Sequence, residues 1–203
     1  MLSSRSGTLA ALGAVLLIAV GGCSREDATQ AADKVAVENA HGDDAHIDWF
    51  DGTVDDALIA AQDRNQPIFL YWGAKWCPPC MQLKTTVFNR PDFIRITELF
   101  IPVYLDGDTT GAQKWGDHFG IVGYPTLIVL RPDGTELTRI SSGMDLEAYP
   151  RVLKIASKQT RPAGEILAAA QDEPESLTGD DWQLLANYGW WVDRGRVLGE
   201  RPM

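Results

Sequence analysis

Two cysteines spaced by two prolines, in the run Trp76-Cys77-Pro78-Pro79-Cys80, are the residues of this 203-residue chain best suited to chemistry. The motif follows a continuous apolar run from Pro67 to Trp72, read as a strand buried on both faces, and opens a segment of helical character from Cys77 to Phe88. A cysteine at a helix N-terminus has its thiolate stabilised by free backbone N–H groups and by the positive end of the helix dipole. Cys80, one turn later, lies on the same side of the helix start and can attack a mixed disulfide formed by Cys77. The spacing therefore predicts thiol-disulfide exchange, with Cys77 as nucleophile and Cys80 as resolving thiol.

Other uses of a cysteine pair fit less well. A two-residue gap closes too small a loop to remove much unfolded-state entropy, so the pair makes a poor structural staple. Zinc would need two more ligands, and neither a second cysteine pair nor a nearby His is offered; haem attachment would need His at position 81, which is Met. His41 and His46 flank Asp43 and Asp44, but they sit in a polar stretch and read as solvated side chains, so no metal and no cofactor beyond the Cys77–Cys80 dithiol is expected.

The third cysteine sits near the N-terminus. One basic residue, Arg5, precedes an uncharged apolar stretch from Leu9 to Val20 that is too short to span a bilayer as a helix and reads as an export signal. It ends in Val20-Gly21-Gly22-Cys23, which resembles the lipobox of bacterial lipoproteins. That resemblance implies removal of residues 1–22, lipidation of Cys23 and membrane attachment through acyl chains. By similarity to enteric lipoproteins, Ser24 after the cysteine favours the outer membrane, facing the periplasm. Residues 23–46 are rich in Ala, Asp, Glu and Gly and form a flexible tether.

The elements that must position the cysteines lie between about Ile47 and Lys158. Val54 to Asp63 has helical spacing; Ile101 to Leu105 reads as a second strand, Thr110 to His118 as a polar helix, and Pro125 to Leu130 as a third strand. Pro132-Asp133-Gly134 is a turn that joins a fourth strand, Glu136 to Arg139, as a hairpin, and Asp145 to Ser157 is an amphipathic helix. The order places helices on both faces of a small mixed four-stranded sheet, an α/β three-layer sandwich. After Thr160-Arg161-Pro162, residues 159–203 form a helical extension with helices at Ala163 to Gln171 and about Asp180 to Leu198, the latter started by Thr178 and Asp181. Its apolar stripe, with Trp182, Leu185 and Trp190, must dock on the preceding domain, meet another chain, or continue into a longer helical region.

Trp76-Cys77-Pro78-Pro79-Cys80, with Gly123-Tyr124-Pro125-Thr126 opening a later strand, resembles the thioredoxin superfamily. The run from Ile47-Asp48-Trp49-Phe50 to Gln66-Pro67-Ile68-Phe69-Leu70 is similar to the subgroup that includes the C-terminal domain of the DsbD transmembrane reductase. The resemblance implies a thioredoxin-like fold over residues 47–158 and a cis peptide bond before Pro125, facing the disulfide. It also implies a substrate-contacting surface in which Trp76 is an apolar platform and Gly123 and Tyr124 lend backbone groups to an extended segment. The family places a buried Asp on the strand before the cysteines, where this chain has Tyr71. Tyr cannot serve as that base near neutral pH, which leaves Asp106, Asp108 or water to take the proton of Cys80. Lys75 and Lys84 are near enough in sequence to favour a thiolate.

Composition limits the partners. With 28 acidic against 18 basic side chains and a net charge of −10, the chain is unsuited to nucleic acid. The expected activity is that of an envelope thiol-disulfide oxidoreductase reducing exported proteins, with electrons from a membrane-bound donor of DsbD type. Pro78 and Pro79 have no N–H to offer the Cys77 sulfur, which disfavours the thiolate and favours a reductant. The competing reading is a thioredoxin-fold adaptor that recruits an envelope protein, with the cysteines secondary. A copper metallochaperone fits poorly, because no Met or His cluster lies near the pair.

Overall fold

Six consecutive residues with no exposed member, Ile68–Gly73, form strand β1, and that burial requires cover on both faces of the sheet. The computed structural model describes residues 46–141 and 143–193, with no side-chain description for residue 141; the expected leader, Cys23 and nearly all of the expected tether lie outside them. β1 is flanked by parallel β2 (Ile101–Asp106) and antiparallel β3 (Thr126–Leu130), and β4 (Glu136–Ser141) pairs with β3, giving the order β2-β1-β3-β4. The period-2 alternation of strand side chains divides the core into two layers. Ile68, Leu70, Trp72, Ile128 and Leu130 face one way, onto α1 (Val54–Arg64) and α4 (Thr110–Phe119). Phe69, Tyr71, Leu127 and Val129 face the other way. There they meet α2 (Pro78–Leu83), α3 (Pro91–Thr97) and α5 (Ala148–Ala156). The fold is the expected α/β arrangement, a mixed four-stranded sheet between helices.

Local chemistry explains the helix ends. Thr53 caps α1 in a reciprocal box with Asp56, Thr109 caps α4, and Gly120 ends α4 in the left-handed region at φ 59°. Instead of one helix from Cys77 to Phe88, α2 gives way to a π-helical turn at Lys84–Phe88. The Thr86 hydroxyl donates to the Gln82 carbonyl at 2.6 Å and the Thr85 hydroxyl to the Met81 carbonyl at 3.0 Å, so side chains compete for the carbonyls the regular helix would use. α3 has no counterpart in the sequence reading; Pro91 occupies its first turn, where a missing N–H costs nothing, and Phe93, Ile94 and Thr97 bury one face.

The region after Thr160 packs onto the same core. α6 (Ala163–Asp172) and α7 (Gly179–Ala186) contribute Ile166, Leu184 and Leu185 to the cluster that holds Tyr149 and Phe69, so of the three settings for the aromatic helix the structure shows docking on the preceding domain. Thr178 and Asp181 form the expected capping box. The helix expected to run to about Leu198 ends at Ala186; the chain turns at Asn187 and Gly189, and the Gly189 N–H donates to the Arg139 carbonyl at 2.8 Å. Trp182, placed on the apolar stripe by helical spacing, and Trp191 are 46% and 90% exposed, whereas Leu184, Leu185 and Tyr188 are buried. Arg139 anchors this return: fully buried, it pairs with Glu136 and donates to the Phe119 and Val192 carbonyls at 2.8 and 2.7 Å. No helix among the described residues is long and apolar enough to cross a membrane.

Candidate active site

β1 delivers the chain from the buried Gly73 into Ala74, and three residues later Cys77 becomes the N-cap of α2. Its backbone is extended (φ −83°, ψ 112°) and its Sγ accepts the Cys80 N–H at 3.2 Å. An N-cap acceptor normally draws on the N–H groups two and three residues on. Here the first of these belongs to Pro79 and does not exist, so Cys80 supplies the one local donor. Cys77 and Cys80 are joined as a disulfide with Cα atoms 5.2 Å apart, and both are buried, at 3% and 0% exposure.

Against the cluster that holds the disulfide the fold brings Tyr124 from a distant part of the sequence, beside Trp76. The Tyr124–Pro125 peptide bond is cis. Tyr124 packs against the cluster of Ala74, Cys77 and Cys80, edge-on to Trp76 with ring centroids 5.7 Å apart. Trp76 is 63% exposed, and its indole N–H donates to Asp108 at 2.9 Å. The Gly123 carbonyl accepts the Thr126 hydroxyl at 2.8 Å, and the space above its Cα is open. Met81 and Val122 are also exposed apolar residues.

The two lysines do not point the way sequence proximity suggested. Lys75 is solvent-exposed and meets Asp106 at 3.8 Å. Lys84, carried by the π-helical turn, places its ammonium 4.8 Å from the Tyr104 ring centre and 5.8 Å from that of Tyr71.

Tyr71 is fully buried, stacked on Tyr104 at 5.4 Å and edge-on to Phe88 at 4.9 Å, and its hydroxyl has no hydrogen-bond partner among the described residues. The hydroxyl lies over Gly73, where a Cβ would approach it to 2.4 Å. Burial, reinforced by Tyr104 and Tyr149, pushes its pKa well above the ordinary phenol value, so it stays protonated at neutral pH. Of the alternative bases, Asp106 accepts the Asp108 N–H at 3.2 Å and Asp108 holds Trp76.

Sequence reasoning missed the backing of Tyr124. Trp72 stacks nearly parallel to it at 6.3 Å, and Gly107 leaves room for its hydroxyl. Gln113 donates to the Gly107 carbonyl and reaches the Tyr124 hydroxyl at 3.5 Å. The available signal was faint: Gly107 sits between two acidic residues at the end of β2, a pattern equally typical of a plain turn.

A family model described as a thioredoxin-like domain matches residues 54–156. Among solved structures the chain is similar to a DsbH oxidoreductase at 18% identity, over 61% of this chain and 99% of that one, with a TM-score of 0.49. It is similar to a thioredoxin from Thermus thermophilus at 21% identity, over 66% and 98%, with a TM-score of 0.49. A third such structure is the oxidised C-terminal domain of Neisseria meningitidis DsbD, at 20% identity over 48% and 87%, with a TM-score of 0.41. No curated protein matches the chain in sequence.

Proposed function

This chain belongs to the thioredoxin-like family, and from that premise we propose that it is a protein-disulfide reductase of a bacterial envelope. The observation that carries the reading is Cys77 itself, an N-cap cysteine joined to Cys80 with that residue's N–H on its sulfur. In the reduced protein the Cys77 thiolate attacks a sulfur of the substrate disulfide. A bond forms to Cys77 and the substrate's other sulfur leaves with the electron pair. Cys80, once deprotonated, then attacks Cys77 Sγ, which closes the Cys77–Cys80 disulfide and releases the second substrate thiol.

The reductive direction rests on Pro78 and Pro79. Without their N–H groups the thiolate form of Cys77 has a single local donor, so the reduced state is less favoured than in a motif with two. Exposed Trp76 and Met81 offer apolar contact to an unfolded or extended protein segment, with Tyr124 edge-on to Trp76 and Gly123 and Pro125 on either side of it in the chain. In this reading the apolar leader and Cys23 support a lipid anchor facing the periplasm, the outer membrane being favoured, with electrons from a membrane-bound dithiol donor of DsbD type. The purified protein should catalyse reduction of a protein disulfide by dithiothreitol, lose that activity on Cys77→Ser, and show a potential closer to thioredoxin (about −270 mV) than to a strong oxidase (about −120 mV). A potential at the oxidase end would overturn the reductive direction. Labelling by radioactive palmitate in cells, lost on Cys23→Ser, tests the anchor.

A further inference from the structure

The assignment of Cys77 as nucleophile leaves unexplained why a sulfur that must be attacked in line sits in a residue only 3% exposed. Tyr124 packs on the Ala74, Cys77 and Cys80 cluster, and its ring is fixed on three sides. Trp72 stacks behind it at an interplanar angle of 7°, and Trp76 meets it edge-on. Its hydroxyl occupies a socket that exists only because residue 107 has no side chain, since a Cβ there would stand 2.4 Å from Tyr124 Oη. Gln113 closes the socket by donating to the Gly107 carbonyl while lying 3.5 Å from the same hydroxyl. The Gly107 N–H is tied to the Gly73 carbonyl at 2.8 Å, which fixes the socket to the strand that leads into the motif. Gly116 makes similar room behind Trp72, where a Cβ would come within 2.8 Å of the indole ring. Two glycines thus accommodate a stack of aromatic rings whose front member packs on the cluster of Ala74, Cys77 and Cys80.

We propose that the Tyr124 side chain is a gate: seated in the Gly107–Gln113 socket it restricts thiol access to Cys77, and it must swing out before the disulfide can be opened by a bulky thiol. The proposal rests on the exchange chemistry above but assigns the side chain a role separate from any backbone contact with substrate. In the gated step an incoming thiolate attacks Cys77 Sγ and a sulfur–sulfur bond forms to Cys77. The Cys77–Cys80 bond breaks with its electron pair leaving on Cys80, which takes a proton from water. A second thiol, from the same donor or another molecule, then displaces Cys77. Because only the open fraction reacts, the observed rate is the intrinsic rate multiplied by that fraction, and a bulkier thiol needs a wider opening.

The test is the second-order rate of reduction of the disulfide in the oxidised full chain, measured by quenching and alkylation, with dithiothreitol as the small thiol and glutathione as the bulkier one. For an open state populated at roughly a tenth or less, Tyr124→Ala raises the glutathione rate about tenfold or more and the dithiothreitol rate by less. Gly107→Ala, which pushes the hydroxyl out of its socket, shifts both rates the same way. The reduction potential moves less than the rates do, which separates gating from a change in disulfide stability. Should Tyr124→Ala fail to give the parent circular dichroism spectrum, Tyr124→Leu, which keeps apolar bulk but cannot reach Gly107, serves in its place. Rates within twofold of the parent, or equal gains for both thiols, overturn the gate. These rates use added thiols, so they remain readable if the protein proves not to be a reductase, and a gate that fails leaves the potential and the protein-disulfide assay untouched.

Discussion

Restoring one backbone donor at position 79 should convert this site into a better oxidant by a calculable amount. Cys77 is the N-cap of α2, and of the two N–H groups an N-cap side chain ordinarily draws on, the Cys80 N–H is present at 3.2 Å while Pro79 has none. Pro79 is exposed, so Pro79→Ala adds an N–H with little repacking. A hydrogen bond to a charged group contributes about 1.5–3 kcal/mol. The donor acts on the thiolate far more than on the disulfide, so the reduced form gains most of this. At roughly 30 mV per 1.4 kcal/mol for a two-electron couple, the potential should rise by about 30–60 mV. The assay is redox equilibration against glutathione, at a pH where alkylation of the reduced protein has reached its plateau. Alkylation of Cys77 should also reach half its plateau at a lower pH than in the parent. A rise below about 10 mV, or a fall, would refute the argument that missing prolyl donors set the direction of electron flow.

Three further outcomes follow from buried groups. Arg139 is fully buried, and although burial works against its charge, the Glu136 carboxylate outweighs it and holds the guanidinium pKa above its ordinary value; Arg139→Met should cost about 3–5 kcal/mol in urea unfolding, with some of the loss recovered in Glu136→Gln/Arg139→Met. Asp181 is desolvated, yet the Thr178 N–H and hydroxyl, Gln159 and Arg161 outweigh that and hold its carboxyl below the ordinary value. Its stabilisation is therefore present above the unfolded carboxylate value and lost as pH falls through the lower folded one, so Asp181→Asn should cost about 1–2 kcal/mol at pH 7 and progressively less as pH falls below the ordinary carboxylate value, by acid and urea titration. Tyr71→Phe removes a buried hydroxyl without a partner among the described residues and should leave the protein equally or more stable, by up to about 1 kcal/mol. Its exchange rates should match the parent, whereas a clear loss would show that the phenol moves the Cys80 proton.

How far the sequence carried depended on how local each determinant is. β1, β2 and β3 were legible because each is a largely apolar run bounded by turn residues, and β4 because the Pro132-Asp133-Gly134 turn announces a hairpin. α3 was not, because Asn89-Arg90-Pro91 reads as a break, and seven residues are too few to display a helical period. The last helix was overextended because Trp182, Leu185, Ala186, Gly189 and Trp190 keep helical spacing past its end, while the turn is imposed from outside by the Arg139 carbonyl and guanidinium. At the site, the cysteines and the segment around Pro125 are short motifs that the sequence displays directly, and the structure joins the cysteines and makes the Tyr124–Pro125 bond cis. The seating of Tyr124 depends on Trp72, Gly107, Gln113 and Gly116, which come from β1, α4 and the turn after β2, and meet only by packing. Tyr71 was excluded as a base from its type alone, but its stacking with Tyr104 follows from strand register, which pairs the two positions across β1 and β2.

The central claim is that Cys77 forms a covalent intermediate with protein substrates and Cys80 resolves it. Cys80→Ser in the full chain, expressed in its native host and quenched in acid, should accumulate mixed disulfides that dissolve on reduction and are absent from Cys77→Ser. Exported cysteine-containing proteins should be released from them. Finding no reducible protein adduct on Cys80→Ser, under conditions where a thioredoxin domain with the same substitution accumulates them, would contradict the account.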